Sequence, residues 1–112
     1  MIYHITTPAA WEHAQRLGRY SADSLGSEGF IHCSTAAQLL IPANELYHGR
    51  TDLILLCIDS SRLQPRLVYE DCYASGTAFP HIYGPLNLDA VTDVVDFPSN
   101  PDGTFSLPPE VK

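Results

Sequence analysis

Positive charge is scarce: 6 Lys and Arg stand against 13 Asp and Glu in 112 residues, a formal net charge of −7. Phosphate binding needs clustered cations, and Arg16, Arg19, Arg50, Arg62 and Arg66 form no run, so nucleic acid is not an expected partner. Only Arg16 and Arg19 lie close enough to hold a small anion. Cysteine is also sparse. Cys33, Cys57 and Cys72 are odd in number and show no C-x-x-C spacing, which argues against a disulfide framework or a structural zinc and fits reduced cytosolic thiols. No H-E-x-x-H occurs and no two His stand four apart on a helix, so no metal is expected, although three dispersed His could still meet in space as ligands. A G-x-S-x-G nucleophile elbow is missing too. The start, Met1-Ile2-Tyr3-His4, has no signal-peptide core, and the longest apolar run, 53–58, is too short to cross a bilayer. The expectation is a cytoplasmic protein with no membrane partner.

Apolar residues make up 45% of the chain, enough to bury a core, and 112 residues correspond to one domain. That domain is expected over 1–97. The stretch 98–112 holds four prolines and two large apolar residues, and reads as a Pro-rich arm or loose tail.

A strand is predicted at 2–6, with Ile2, His4 and Thr6 on one face. Thr7 caps a helix over 8–17 that opens on Pro8, carries Trp11, Ala14 and Leu17 as an apolar stripe, and ends at Gly18. Residues 19–29 read as a surface loop with Tyr20 and Leu25 docked inward. A second strand, 30–33, puts Phe30, His32 and Ser34 on one face and Ile31 and Cys33 on the other. A second helix is predicted over 35–47, capped by Ser34 or Thr35, with a kink at Pro42 or a break there into two shorter pieces. The run 53–58 is apolar on both faces and predicts a central strand. The strand at 67–73 places Val68, Glu70 and Cys72 together, with Leu67, Tyr69, Asp71 and Tyr73 on the other face. Two prolines and a glycine argue that 76–86 is an ordered loop rather than a central strand. A last strand is predicted at 90–97. Helices early and strands late predict an α+β fold: two N-terminal helices on a twisted, mainly antiparallel sheet.

Four polar groups recur beside aromatics: His4, His32, Glu70 and His81. A Glu among apolar neighbours in mid-strand breaks a local rule in the way functional sites do. Imidazoles and hydroxyls suit ribose hydroxyls and a carboxamide, aromatic rings suit a planar base, and a carboxylate stabilises an oxocarbenium-like ribose. The expected ligand is therefore a small molecule or nucleotide. His81, in a segment stiffened by Pro80 and Pro85, is expected near His32 or Glu70. Cys33 and His32, adjacent on a strand, should not touch. A thiol role for Cys33 is a separate possibility, set by whether its thiolate is activated.

Tyr3-His4-Ile5-Thr6-Thr7, a helix bearing Trp11, Gly29-Phe30-Ile31-His32-Cys33-Ser34, Tyr69-Glu70 and Phe79-Pro80-His81-Ile82-Tyr83-Gly84 resemble the bacterial domain of unknown function 952 family. That family is grouped by fold with the ADP-ribosyltransferases and the RNA 2'-phosphotransferases. The resemblance implies a split antiparallel sheet around an NAD-sized cleft, with NAD as cofactor. It implies a ribose- and nicotinamide-binding role for His4 and a looser match of Ser34 and Thr35 to the second-strand motif. It also implies a match of Glu70 to the late-strand catalytic Glu of those enzymes. With the residue chemistry, this makes Glu70 and His32 the candidate catalytic pair, and His4, Ser34, Thr35, His81 and Tyr83 the candidate cofactor contacts. The basic groups of the RNA phosphotransferases have no counterparts. Two readings follow: ADP-ribosyl transfer, or a non-catalytic binding module that kept the cleft and lost the chemistry.

Overall fold

The computed structural model describes residues 1–72 and 74–111. In chain order these form β1 (Ile2–Thr6), α1 (Pro8–Leu17), β2 (Arg19–Tyr20), α2 (Asp23–Ser27), β3 (Ile31–His32), α3 (Leu40–Leu46), β4 (Ile54–Ile58), β5 (Arg66–Glu70), β6 (Phe79–Tyr83), β7 (Leu86–Asn87) and β8 (Val91–Asp96). Strand order is β1-β4-β8 in one sheet, β3-β6-β5 in a second, with β2 and β7 as a separate pair. Every pairing is antiparallel. The two larger sheets meet where Tyr3 and Ser34 exchange backbone hydrogen bonds of 2.8 Å in both directions. The expected antiparallel α+β architecture with a split sheet is what the chain forms, with three helices among the described residues rather than two. No helix among them is long and apolar enough to cross a membrane.

β4 is the centre. All five of its residues are buried, and alternation sends Ile54, Leu56 and Ile58 into one core and Leu55 and Cys57 into another. The first core also takes Ile2, Ala14, Tyr20, Ile31, Cys33 and Ile82. The second takes Tyr3, Leu39, Ala43, Val95 and Phe97, and is closed by Phe105 and Val111. Segment 98–111 thus lies against this second core, with Phe105 stacked 4.8 Å from Phe97. Helix α1 starts and stops as expected: Thr7 accepts from Ala10 N–H, Pro8 occupies the first position, and Gly18 ends it at φ 90°. Of its stripe, Ala14 is buried and Trp11 packs on the core, whereas Leu17 is half exposed.

Four expectations need correction. Residues 19–29 are not a plain loop; they contain β2 and α2, although Tyr20 is buried and Leu25 packs inward as predicted. The helix predicted over 35–47 is only α3, Leu40–Leu46. Turns occupy 36–39, and Pro42 falls in the first turn of α3, where its missing N–H costs no helical bond. The strand predicted at 67–73 is β5, Arg66–Glu70; Tyr73 lies outside the described residues. The stretch 79–83 is a strand, and a central one, between β3 and β5. Pro80 is tolerated because it pairs with Cys33, at the very end of β3. There Cys33 N–H still donates to the Pro80 carbonyl at 3.0 Å, and only the return bond is lost. Gly84 and Pro85 follow the strand, and a Cβ on Gly84 would stand 2.9 Å from Pro65 Cβ.

Candidate functional site

One face of the sheet β3-β6-β5 turns toward a cleft. Register sets His32 opposite His81, His81 opposite Val68, and Glu70 opposite Phe79. Alternation then places Phe30, His32, Phe79, His81, Tyr83, Val68 and Glu70 on one side, while Ile31, Ile82 and Leu67 face the core. The sequence pattern put Phe30, His32 and Ser34 together, and Val68 with Glu70; register joins the two sets.

His81 is the most constrained member. It is 1% exposed, its ring stacks on Phe30 at 4.0 Å and 10°, and its Nδ1 lies 2.9 Å from Glu70 Oε1. An ionised carboxylate only accepts, so Nδ1–H donates, and in the neutral ring Nε2 carries the lone pair. No buried side-chain N or O among the described residues lacks a partner, and His81 lines the cleft. Glu70 also accepts from the Tyr83 hydroxyl. That bond, then the one from His81, holds its carboxylate below the usual range. The same bond pushes the Tyr83 phenol up to about 12, and Arg66 sits 5.9 Å over the Tyr83 ring. Cys72 Sγ is 3.8 Å from His81 Nδ1.

His32 stands beside this pair, its ring edge-on to His81 at 5.3 Å and its Nε2 3.1 Å from Glu28 Oε1. The His32 carbonyl accepts from His4 Nδ1–H at 2.5 Å. His4 is buried, and burial lowers its pKa to about 4, so the ring is neutral. With Nδ1–H committed to a carbonyl, Nε2 must accept the proton of the Tyr20 hydroxyl, 2.7 Å away, while Thr6 donates to the Tyr20 oxygen across 2.9 Å. His4, His32, His81 and Glu70 therefore form one connected chain.

A cleft of about 480 Å³ opens between this face, the end of β1 and α3. Its walls include Ile5, Ile41, Pro42, Tyr47 and Phe79, with Glu28, His32, Ser34, Glu45 and His81 as polar members. No Lys or Arg lines it among the described residues. His4 touches the cleft but has both ring nitrogens engaged. Ser34 is buried at its edge, held by the bridge to Tyr3. Thr35 does not line it; its N–H donates to Gln38 Oε1 at 3.1 Å. The helix N-terminus expected beside Ser34 is absent, because α3 starts only at Leu40, after Leu39 with no side-chain cap. Glu70 and Tyr83 stand behind His81 rather than in the cleft wall. Cys33 is buried in the core, where burial pushes its thiol far up, so it is no activated nucleophile.

Sequence reasoning missed Tyr20 and Glu28 as parts of the site, and Cys72 as a neighbour of His81 outside the cleft wall. Glu28 lies in a stretch read as loop. Cys72 was legible, since Glu70 and Cys72 share a strand face by spacing, but nothing local tied them to His81.

Fold and site together define a small antiparallel α+β protein with an imidazole-lined, mainly apolar cleft. The chain belongs to the family described as "Protein of unknown function (DUF952)", whose model matches residues 5–94. It is similar to CC0527 from Caulobacter crescentus. The crystal structure of that protein is 32% identical over 95% of this chain and 93% of the other, with a TM-score of 0.84. A double-mutant crystal form gives 31%, the same coverage and 0.83. The solution NMR structure gives 33%, 95% and 91%, and 0.82. No curated protein matches the chain.

Proposed function

We propose that the protein is a binding module for a nucleoside-sized ligand, a planar ring that is neutral or cationic. The observation that carries this is His81, clamped by Phe30 and Glu70 in the wall of the cleft, where the neutral ring would offer Nε2 as a fixed acceptor. Holding an imidazole this rigidly suits recognition of an N–H or hydroxyl, and Tyr47 and Phe79 offer rings to the ligand plane. A volume of about 480 Å³ suits such a ligand.

NAD in full fits less well. Its pyrophosphate carries negative charge, and the cleft offers Glu28 and Glu45 with no Lys or Arg lining it among the described residues. The cationic nicotinamide riboside half agrees with that charge. ADP-ribosyl transfer with Glu70 and His32 as catalytic groups is the narrower reading implied by the family resemblance. It requires Glu70 to reach the ribose, and the Glu70 carboxylate is engaged behind His81 instead. That position favours binding without turnover.

Calorimetry with nicotinamide riboside, adenosine and NAD, followed by amide NMR, tests the proposal. We expect riboside binding with shifts at His32, Ser34 and His81, NAD binding no tighter than the riboside, and no nicotinamide release. His81→Ala, with its fold checked by circular dichroism, should weaken binding about tenfold, the scale of one buried hydrogen bond. No binding at millimolar ligand, or unchanged affinity in His81→Ala, overturns it.

A further inference from the structure

We propose that Glu70, Cys72 and His81 form a site for a divalent metal of the zinc class, bound through one carboxylate oxygen, the Cys72 thiolate and His81 Nδ1. One ligand atom from each lies within 4.8 Å of the other two. Nδ1 is 3.8 Å from Sγ and 2.9 Å from Oε1. Metal–sulfur and metal–nitrogen bonds of about 2.3 and 2.0 Å in a tetrahedral site set their ligand atoms roughly 3.5 Å apart. The N···S separation already suits this, and the N···O separation needs only a small rotation of the partly exposed Glu70 side chain.

The scaffold is firm. His81 sits on the central strand and stacks on Phe30. Asp71 ties down the turn that carries Cys72, accepting from Ser75 N–H at 2.9 Å and Gly76 N–H at 2.7 Å. Tyr83 donates to Glu70, the kind of outer hydrogen bond that orients a metal-bound carboxylate. A thiolate, an imidazole and one carboxylate select zinc or cobalt over calcium or magnesium, which prefer all-oxygen shells. Cys72 is exposed, so the ion has a path in and a fourth position open to water.

Binding breaks the Nδ1–H···Glu70 hydrogen bond. The thiol proton of Cys72 leaves to solvent, and the imidazole stays neutral by carrying its N–H on Nε2 instead of Nδ1. In the neutral ring Nε2 then changes from acceptor to donor.

The test is titration of the chelator-stripped protein with cobalt(II). We expect one equivalent bound, a near-ultraviolet thiolate-to-cobalt charge-transfer band and the intensified visible bands of a four-coordinate ion. Cys72→Ser, at an exposed position, should leave the fold intact and abolish the charge-transfer band. Glu70→Gln should weaken cobalt about tenfold or more. A band that persists in Cys72→Ser, or cobalt uptake equal in wild type and both variants, overturns the site. Because Cys72 plays no part in nucleoside binding, riboside affinity in metal-free Cys72→Ser reports on the cleft separately.

Discussion

The two three-stranded sheets follow the same alternation to different ends. In β1-β4-β8 the central strand buries both faces, and its neighbours bring Ile2, Tyr3 and Val95 to the two cores. In β3-β6-β5 one face joins the core and the other carries His32, His81 and Glu70 toward a cleft. A polar group in the first sheet has to be fully satisfied, because an unpaired one would cost several kcal/mol in the interior. His4 meets that condition with the His32 carbonyl and the Tyr20 hydroxyl. In the second sheet His32 and Glu70 are partly exposed and His81, though buried, lines the cleft, so this face is the one a ligand can meet. Stability is concentrated in one sheet and chemistry in the other.

Leu56→Ala should break the first sheet. Leu56 is fully buried opposite His4 and Val94, and a Leu-to-Ala cavity in such a core costs about 3 kcal/mol. Val68→Ala, the half-buried neighbour of His81 on the same face, should cost under about 1 kcal/mol. Denaturant unfolding of both variants checks the contrast; equal losses would show that the sheets share the load.

A smaller effect comes from pH. The buried His4 ring has a pKa of about 4, against 6.5 for an ordinary histidine. As pH falls the unfolded chain takes up this proton first, so the stabilisation is complete above about pH 6.5 and declines toward pH 4. The slope is at most about 1.4 kcal/mol per unit, or about 2 kcal/mol between pH 7 and pH 5. His4→Gln should be less stable at pH 7 and lack this component of the slope. A wild-type stability flat across that interval would show that His4 is not held neutral.

How much of this was legible follows from where the signals are local. The run 53–58 announced a strand buried on both faces, and Thr7-Pro8 with Gly18 announced α1, because period and caps lie within a few residues. His81 beside Glu70 was also foreseen, from a stiff segment bearing a titratable group. The strand identity of 79–83 was not. Proline's penalty depends on which neighbour its nitrogen faces, and only the pairing with Cys33 shows that a single bond is lost. The early start predicted for α3 failed likewise: Ser34 and Thr35 have cap chemistry, but the bridge to Tyr3 claims the backbone of Ser34 and turns fill 36–39. His4 was correctly placed on a strand, yet its partner Tyr20 lies 16 residues away and could not be paired from spacing.

The smallest expected effect sharpens the comparison most. Glu28 and His32 are each 40% exposed, so their contact is screened by water and contributes under about 0.5 kcal/mol. Glu28→Gln should therefore leave the unfolding midpoint nearly unchanged. Its charge nonetheless lines the cleft, where a cationic ring would approach it. Removing one unit charge some 4–6 Å from such a ring, in a half-hydrated site, should weaken nicotinamide riboside about threefold and leave adenosine unaffected. Added salt should shrink the difference, because exposed charges are screened beyond about 8 Å at physiological ionic strength. Calorimetry with both ligands at low and high salt makes the measurement. Equal weakening of the two would mean that Glu28 acts by shaping the wall through His32, and the preference for a cationic ring would then have no electrostatic basis.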